Sequence, residues 1–318
     1  MGNARDIRRR IRSIKNTAKM TRAMEMISAV KMRKAVEQVL HIRPYAHTAW
    51  SILTNLSRAF ELYEHPLLVV RPVRKVLAIV VASNRGLCGS FNMQVFKKLL
   101  DQVENPENLM INRKGAKKII SPISVNECVL DIVSVGKKAD AMARRLNKNS
   151  IASFPNISHV PDLSAIRPIS KIAIDDYSSG KYDKVVIVYT DYVSAMLQQA
   201  RVRQLIPISS VDLEKQIAEM DVLGQEFGLD IPVHEYKVEP DPETVLSMIL
   251  PGLIQMQVYH AVLESSASQE SARMVAMKNA TESAKEIASD LTLAYNQIRQ
   301  TKITQEIAEI SAGRAVLE

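Results

Sequence analysis

The most suggestive chemistry in the sequence is a glycine-rich turn. Arg85-Gly86-Leu87-Cys88-Gly89 lies between a β-branched run and a helical stretch. A loop at such a junction can aim backbone N–H groups at a phosphate. The spacing lacks both GxGxxG and GxxxxGK[ST], so a tight strand-to-helix turn is the competing use of the same glycines. Asp175-Asp176, Asp191 and His234-Glu235 are the acid or histidine clusters worth testing for catalysis, and no HExxH, DxDxDG or GxSxG occurs. The histidines at 41, 47, 65, 159, 234 and 260 show no metal-ligand spacing. Cys88 and Cys128 are 40 residues apart, which suits two reduced thiols better than a zinc or CxxC site. No catalytic residue, cofactor or metal is therefore expected.

The second chemical feature is charge. The net +8 is concentrated: residues 1–43 carry twelve Lys/Arg against three Asp/Glu, and the rest of the chain is nearly neutral. Arg5, Arg8, Arg12, Lys15, Lys19 and Arg22 step by 3 and 4, a cationic stripe on one side of a helix. Such a stripe attracts phosphates. It has no interleaved aromatics, and its helix leads into a sheet domain, so nucleic-acid binding is a rival reading and is not favoured.

The elements that must position these groups follow from periodicity. Residues 3–62 read as one helix, with Ile7, Ile11, Ile14, Ala18, Ala29, Met32 and Val36 on one face. Met20, Ala23, Met24 and Ile27 face elsewhere, so that segment requires burial on several sides. Residues 243–318 read as a second helix broken by Pro251-Gly252. Met277, Ala280, Ala284, Ile287, Leu291, Ala294, Ile298 and Thr301 give a heptad seam. The middle differs. Residues 75–82, 129–135 and 184–189 are continuous β-branched runs, typical of strands buried on both faces, with helices near 92–103, 137–147 and 163–179 between them. Further strands are expected at 201–208 and 233–239, and 105–127 reads as a loop or insertion.

Composition agrees with a folded chain. Of 318 residues, 47% are apolar and 24% charged, which excludes disordered and collagen-like classes. The uncharged run over 244–263 contains Pro251, Gly252, Gln255, Gln257 and His260 and reads as a buried helix rather than a membrane span, apart from Glu243 and Glu264 at its borders. If Pro44 and Pro251 stand level in an antiparallel pair, the second helix outruns the first by about 25 residues, or ~40 Å. That overhang carries Ile303, Ile307, Ile310, Ala312, Val316 and Leu317. An apolar tip in water demands a partner that sheathes it. A bend at Pro44 or Pro251 would give the pair an off-axis shape.

Several stretches carry a family resemblance. Residues 7–17 (Ile-Arg-Arg-Arg-Ile-Arg-Ser-Ile-Lys-Asn-Thr), Ala23-Met24-Glu25-Met26, the 83–89 loop, 273–281 (Arg-Met-Val-Ala-Met-Lys-Asn-Ala-Thr) and 303–310 (Ile-Thr-Gln-Glu-Ile-Ala-Glu-Ile) resemble, in order, the F-type ATP synthase gamma subunit family. The resemblance implies an α/β fold class: a long antiparallel coiled coil of N- and C-terminal helices with a Rossmann-like α/β domain inserted between them. The implied domains are a shaft helix at 1–65, an α/β foot at 70–240 and a second shaft helix at 241–318. It implies a non-catalytic rotary shaft that couples ion flow to ATP synthesis or hydrolysis. The implied partners are an alpha/beta subunit hexamer, an epsilon subunit and the membrane c-ring. Arg299, Gln300, Thr304, Arg273 and Met24 become candidates for contact with beta subunits. Ile303, Ile307, Ile310, Val316 and Leu317 would run in the sleeve, and Gln204, Leu205 and Pro207 would lie near the ring. The start at the shaft helix, with no transit peptide, leads one to expect a peripheral protein on the cytoplasmic face of a bacterial inner membrane. No regulatory cysteine pair is present. A nucleotide-binding α/β enzyme with helical oligomerisation arms is the alternative reading.

Overall fold

A computed structural model describes residues 4–60, 65–114, 117–120, 128–208 and 242–317. Helix α1 spans Ala4–Phe60 and helix α6 spans Pro242–Leu317. Pro44 and Pro251 lie inside them. Between them come β1 (Lys75–Val81), α2 (Phe91–Glu104), α3 (Glu107–Met110), β2 (Ile111–Lys114), β3 (Lys117–Ile120), β4 (Val129–Val135), α4 (Lys137–Arg145), β5 (Ser150–Phe154), α5 (Leu163–Ser178), β6 (Lys184–Tyr192) and β7 (Gln198–Ile206). The strand expected at 233–239 lies outside the described residues.

The β-branched runs became central strands because both of their faces are covered. The main sheet has the order β5-β4-β1-β6-β7. Strands β5, β4, β1 and β6 are parallel, and β7 closes the edge antiparallel to β6. Leu77, Ile79, Val81, Ile187 and Tyr189 point to one face, against α5 residues Ile166 and Ile169 and α6 residues Leu250, Leu253, Ile254 and Val258. Val76, Ala78, Val80, Val186 and Val188 point to the other, against Val95 and Leu99 of α2 and Ala139 and Ala143 of α4. Period-two alternation thus feeds two apolar layers, each built from fully buried side chains. Truncating Ile79 or Ile187 to alanine would cost about 2–5 kcal/mol.

The segment expected to be a loop at 105–127 is in part structured. Its Leu109 joins the second core cluster, and residues 111–120 form a separate two-stranded antiparallel ladder. The polar composition concealed it, because a short hairpin needs little core of its own once its base is anchored.

Two compact units are present: Met1–Ala29 with Arg273–Glu318, and Val30–Ala272. In the second unit the helices are antiparallel. Ala35 and Val36 cluster with Ala267, and Val39 and Ile42 with Leu263. A Cβ on Gly252 would come within 2.9 Å of the Tyr45 hydroxyl, so the two proline-containing segments do stand side by side.

Candidate functional site

The glycine-rich loop occupies the carboxyl end of β1, where strand order reverses and doubly wound sheets bind ligands. Here the loop fills that place itself. The amides of Lys137 and Lys138 at the start of α4 donate to Asn84 Oδ1 and the Ser83 carbonyl, each at 3.0 Å. Asn84 Nδ2 donates to the Ile157 carbonyl, and Asn92 Nδ2 to Ser83 Oγ at 2.7 Å. Gly136, with φ +95°, passes so close that a Cβ would sit 2.1 Å from the Ala82 carbonyl oxygen. The helix amides that would hold a phosphate are already bonded to protein. The glycines serve the turn. Among the described residues no group of three His, Cys, Asp or Glu side chains could hold a metal.

The remaining chemistry lies in the first unit. Thr21 and Thr281 face each other, their hydroxyl oxygens 2.7 Å apart. Counting from that pair, Ala18 comes level with Ala284, Ile14 with Ala288, Ile11 with Leu291 and Ile7 with Tyr295. All are buried or half-buried. The seam of α6 is therefore Met277, Thr281, Ala284, Ala288, Leu291, Tyr295 and Ile298. Of the expected phase through Ala280, Ile287, Ala294 and Thr301, the structure removes Ile287, which is 49% exposed, and Thr301, which is exposed, while Ala280 and Ala294 are half-buried. Both phases share Met277, Ala284, Leu291 and Ile298. Small Ala288 and hydroxyl-bearing Thr281 let the backbones approach, which bulky Ile287 would not.

On α1 the seam continues through Glu25 and Ser28. Glu25 is held by Arg22 at 2.7 Å. Arg5, Arg8, Arg12, Lys15, Lys19 and Arg22 each follow a seam position by one residue, and all are exposed. On the other flank Met20 and Ile27 are 63% and 56% exposed, and Met24 is half-buried beside them. This stretch has a polar seam and an apolar outer face, the reverse of a self-sufficient helix pair.

From Thr21 the first helix runs 17 residues to Ala4; from Thr281 the second runs 36 residues to Leu317. The excess is 19 residues, about 28 Å at 1.5 Å per residue, shorter than the ~25 residues expected from the prolines. Exposure changes at the same point. Ile298 is half-buried, and every residue from Arg299 to Ser311 is exposed. Beyond Ile298 the seam phase would fall on Lys302, Gln305 and Glu309, which are polar. The apolar residues Ile303, Ile307 and Ile310 follow each by one or two positions, a stripe turned about 100° from the seam. Gln300 and Thr304 flank that stripe, and Arg299 leads into it. Thr304 Oγ1 donates back to the Gln300 carbonyl at 3.0 Å. Arg273 is half-buried. The side chains of Val316 and Leu317 lie outside the described residues. Gln204, Leu205 and Pro207 are buried in the second unit, and Gln204 Nε2 donates to the Pro207 carbonyl at 2.7 Å.

The family model described as ATP synthase matches residues 3–317. The chain belongs to the ATP synthase gamma chain family. It is 38% identical over 318 residues to the ATP synthase gamma chain of Stenotrophomonas maltophilia (strain R551-3), covering all of both chains. It is 40% identical over 319 residues to that of Dehalococcoides mccartyi (strain CBDB1), again covering both in full. In fold it is similar to a chain of the Euglena gracilis mitochondrial ATP synthase rotor, with a TM-score of 0.59, 19% identity and coverage of 94% of this chain and 98% of that one. A chain of the Tetrahymena thermophila central stalk and c-ring gives a TM-score of 0.55 at 22% identity, covering 82% and 99%. The fold, long terminal helices with a mainly parallel sheet between them in the chain, is thus similar to that of chains in solved central-stalk and rotor structures. No helix among the described residues is long and apolar enough to cross a membrane.

Sequence reasoning found the tip and the basic stripe. It missed the outward turn of the apolar stripe, whose signal was the placement of Lys302, Gln305 and Glu309 in the seam phase. It also missed the ladder of 111–114 with 117–120, whose signal was the two short runs Ile-Asn-Arg-Lys and Lys-Lys-Ile-Ile separated in sequence by Gly115-Ala116.

Proposed function

We propose that this chain is the rotating shaft of an F-type ATP synthase, peripheral to the cytoplasmic face of a bacterial membrane, and that it carries no bond chemistry itself. The observation that carries this reading is the 19-residue extension of α6 beyond its partner, with an apolar stripe turned away from the seam. A helix end of this kind is marginal alone and becomes useful inside a sleeve. In the proposed assembly a hexamer of alternating alpha and beta subunits supplies the sleeve around Ile303, Ile307, Ile310, Val316 and Leu317. Arg299, Gln300 and Thr304 hydrogen-bond to beta subunits as they pass, and Met24 and Arg273 meet beta lower on the shaft. The second unit is the foot, docked with an epsilon subunit on the c-ring, with Gln204, Leu205 and Pro207 shaping that end from within.

Energy transfer follows from asymmetry. The tip presents the isoleucine stripe on one side, polar seam-phase residues on another and Gln300 with Thr304 on a third. Each of the surrounding catalytic sites therefore meets a different surface at any one angle. Only such differential contact can shift the free energies of their states. Turning the shaft moves the favoured state from one site to the next, and, by linkage, hydrolysis at the sites turns the shaft.

The test is co-expression with alpha and beta subunits from a related bacterium. A stable complex that hydrolyses ATP should form, whereas the chain alone should neither bind nor hydrolyse ATP. Hydrolysis by the purified chain would sink the reading in favour of the enzyme alternative.

A further inference from the structure

From Glu264 to Ser271 helix α6 is buried on every side, and seven of those eight residues are polar. Apolar side chains would fill such a site at lower cost, since each buried polar group has to find a partner. Elsewhere on α6 the hydroxyls turn back on their own helix. Those of Thr281, Thr292, Thr301 and Thr304 each donate to the carbonyl four residues earlier. Here they reach out. Ser266 Oγ donates to the His159 carbonyl, in the loop between β5 and α5. Ser271 Oγ donates to the Ala195 carbonyl, in the turn between β6 and β7. Ser268 Oγ donates to the Thr190 carbonyl of β6 at 3.4 Å. Gln198 Nε2 donates to Ser271 Oγ at 3.2 Å, and Glu270 Oε1 lies 3.1 Å from His159 Nδ1.

These bonds are spread around the helix. Counted from Ser266 at about 100° per residue, Glu270 lies about 40° round, Ser271 about 140° and Ser268 about 200°. Three separate segments of the second unit therefore form a collar that grips α6 from different directions. Where α1 meets the same stretch the contact is apolar: Ala35 and Val36 cluster with Ala267. Apolar packing is non-directional and resists a helix turning about its own axis weakly. A hydrogen bond depends on direction and length. At ~5 Å from the helix axis, a turn of about 12° moves a hydroxyl by ~1 Å and breaks its bond. The second unit ends at Ala272, one residue beyond the last of these bonds, and the same helix continues along the chain to Leu317.

We propose that Ser266, Ser268, Glu270 and Ser271 are positioning residues that lock the angle of α6 within the foot, so that turning force passes between foot and shaft through this collar. The inference rests on the shaft reading and names the joint through which it works. A shaft helix held by apolar contacts alone would slip in its socket when the force on it rises. Small hydroxyls suit the task, because they bring backbone carbonyls of the foot close to the helix and tie them to it at fixed angles. These residues act on coupling and leave the chemistry of ATP to other chains.

The experiment assembles the whole synthase with this chain in sealed lipid vesicles and follows ATP hydrolysis beside a membrane-potential dye. With an ionophore present nothing opposes the foot, and S266A/S268A/S271A should hydrolyse ATP as fast as the unaltered chain. Without it the growing potential opposes the foot, and hydrolysis by the unaltered enzyme should slow. The variant should slip instead: each bond removed raises the slip rate about fivefold and the three together about a hundredfold, so hydrolysis continues while the potential stays low. Ala267→Gly is the matched control, because it loosens the same stretch against α1 and keeps every hydroxyl. It should lower the thermal midpoint of the chain and leave hydrolysis tied to the potential. If the triple variant does not assemble, Ser266→Ala, Ser268→Ala and Ser271→Ala singly, at about fivefold each, give the same reading. Serine variants whose hydrolysis slows with the potential as the unaltered enzyme's does overturn the proposal. So does equal slipping by Ala267→Gly, since general loosening is then the cause. An unaltered chain that builds no potential at all sinks the shaft reading and this one with it, whereas serine variants that match a working unaltered chain sink the collar alone.

Discussion

Replacing Ile303, Ile307 and Ile310 together with serine separates two kinds of stability. In the chain by itself these side chains are 47%, 59% and 73% exposed. Their removal should therefore cost the free chain little more than a few tenths of a kcal/mol each in helix propensity. In the assembled enzyme the same stripe is proposed to be sheathed. The surface still open amounts to about two full isoleucine side chains. At ~1.5–3 kcal/mol for burying each, the sleeve contact is worth about 3–6 kcal/mol. The triple variant should keep its thermal midpoint and far-ultraviolet dichroism, yet bind the alpha/beta hexamer roughly a hundredfold or more less tightly. The assay pairs a melt of the purified chain with titration into labelled hexamer. A melt lowered by many degrees would mean that the stripe packs on its own chain. An unchanged affinity would mean that the tip is not what the hexamer grips. Either outcome refutes the argument.

Gly136→Ala should destabilise the second unit by about 3 kcal/mol or more, because its Cβ would meet a backbone oxygen at 2.1 Å at a positive φ; Gly86→Ala, with nothing within 4 Å, is the neutral control in urea unfolding. Thr21→Val and Thr281→Val should each cost about 0.5–1.5 kcal/mol, because the cross-helix bond is lost while the remaining hydroxyl still donates to its own helix (Thr281 to the Met277 carbonyl, Thr21 to those of Thr17 and Ala18), and the double variant should cost less than the sum of the two; strict additivity in the cycle would deny the contact. His260 is fully buried, and desolvation with nearby Arg203 pushes its pKa down to about 3, so its 3.5 Å approach to Glu264 is a contact of a neutral imidazole. Its unfolded form takes a proton below about 6.5 and its folded form does not, so stability is full above that pH and falls as the pH drops toward 3. By pH 5 the loss should reach about 2 kcal/mol, and His260→Gln should flatten that part of the urea-derived stability profile; an identical slope in the variant would reject the assignment.

The parts of this molecule that could be read from residues are those where one local pattern had one satisfiable outcome. The runs at 75–82, 129–135 and 184–189 alternate nothing, so they had to be covered on both faces, and the two clusters around Ile79 and Val80 do that. The outer bounds of the terminal helices followed in the same way, but the break expected at Pro251-Gly252 does not occur: α6 runs without interruption from Pro242 to Leu317, with Pro251 inside it. The heptad phase was a different matter. Met277, Ala284, Leu291 and Ile298 belong to both candidate seams, and hydrophobicity alone prefers Ile287 to Ala288. What decided it was interhelical distance, set by the Thr21–Thr281 pair across 260 residues of sequence. The glycine-rich loop was ambiguous for a related reason. A phosphate and the Asn84 side chain satisfy the same helix amides, and only the long-range path of Asn84 to Lys137 tells them apart.

The tip follows the same logic in reverse. Its polar residues hold the seam phase and its isoleucines lie one step round, so no rearrangement within the first unit can bury the stripe while keeping the seam. Hydrophobic patterning here conflicts with the fold of the chain that carries it. Such conflicts are expected where a surface is built for another molecule. The mismatch between the two stripes therefore identifies a contact surface where the count of exposed apolar residues would not, since scattered exposed methionines and isoleucines are common on any folded chain.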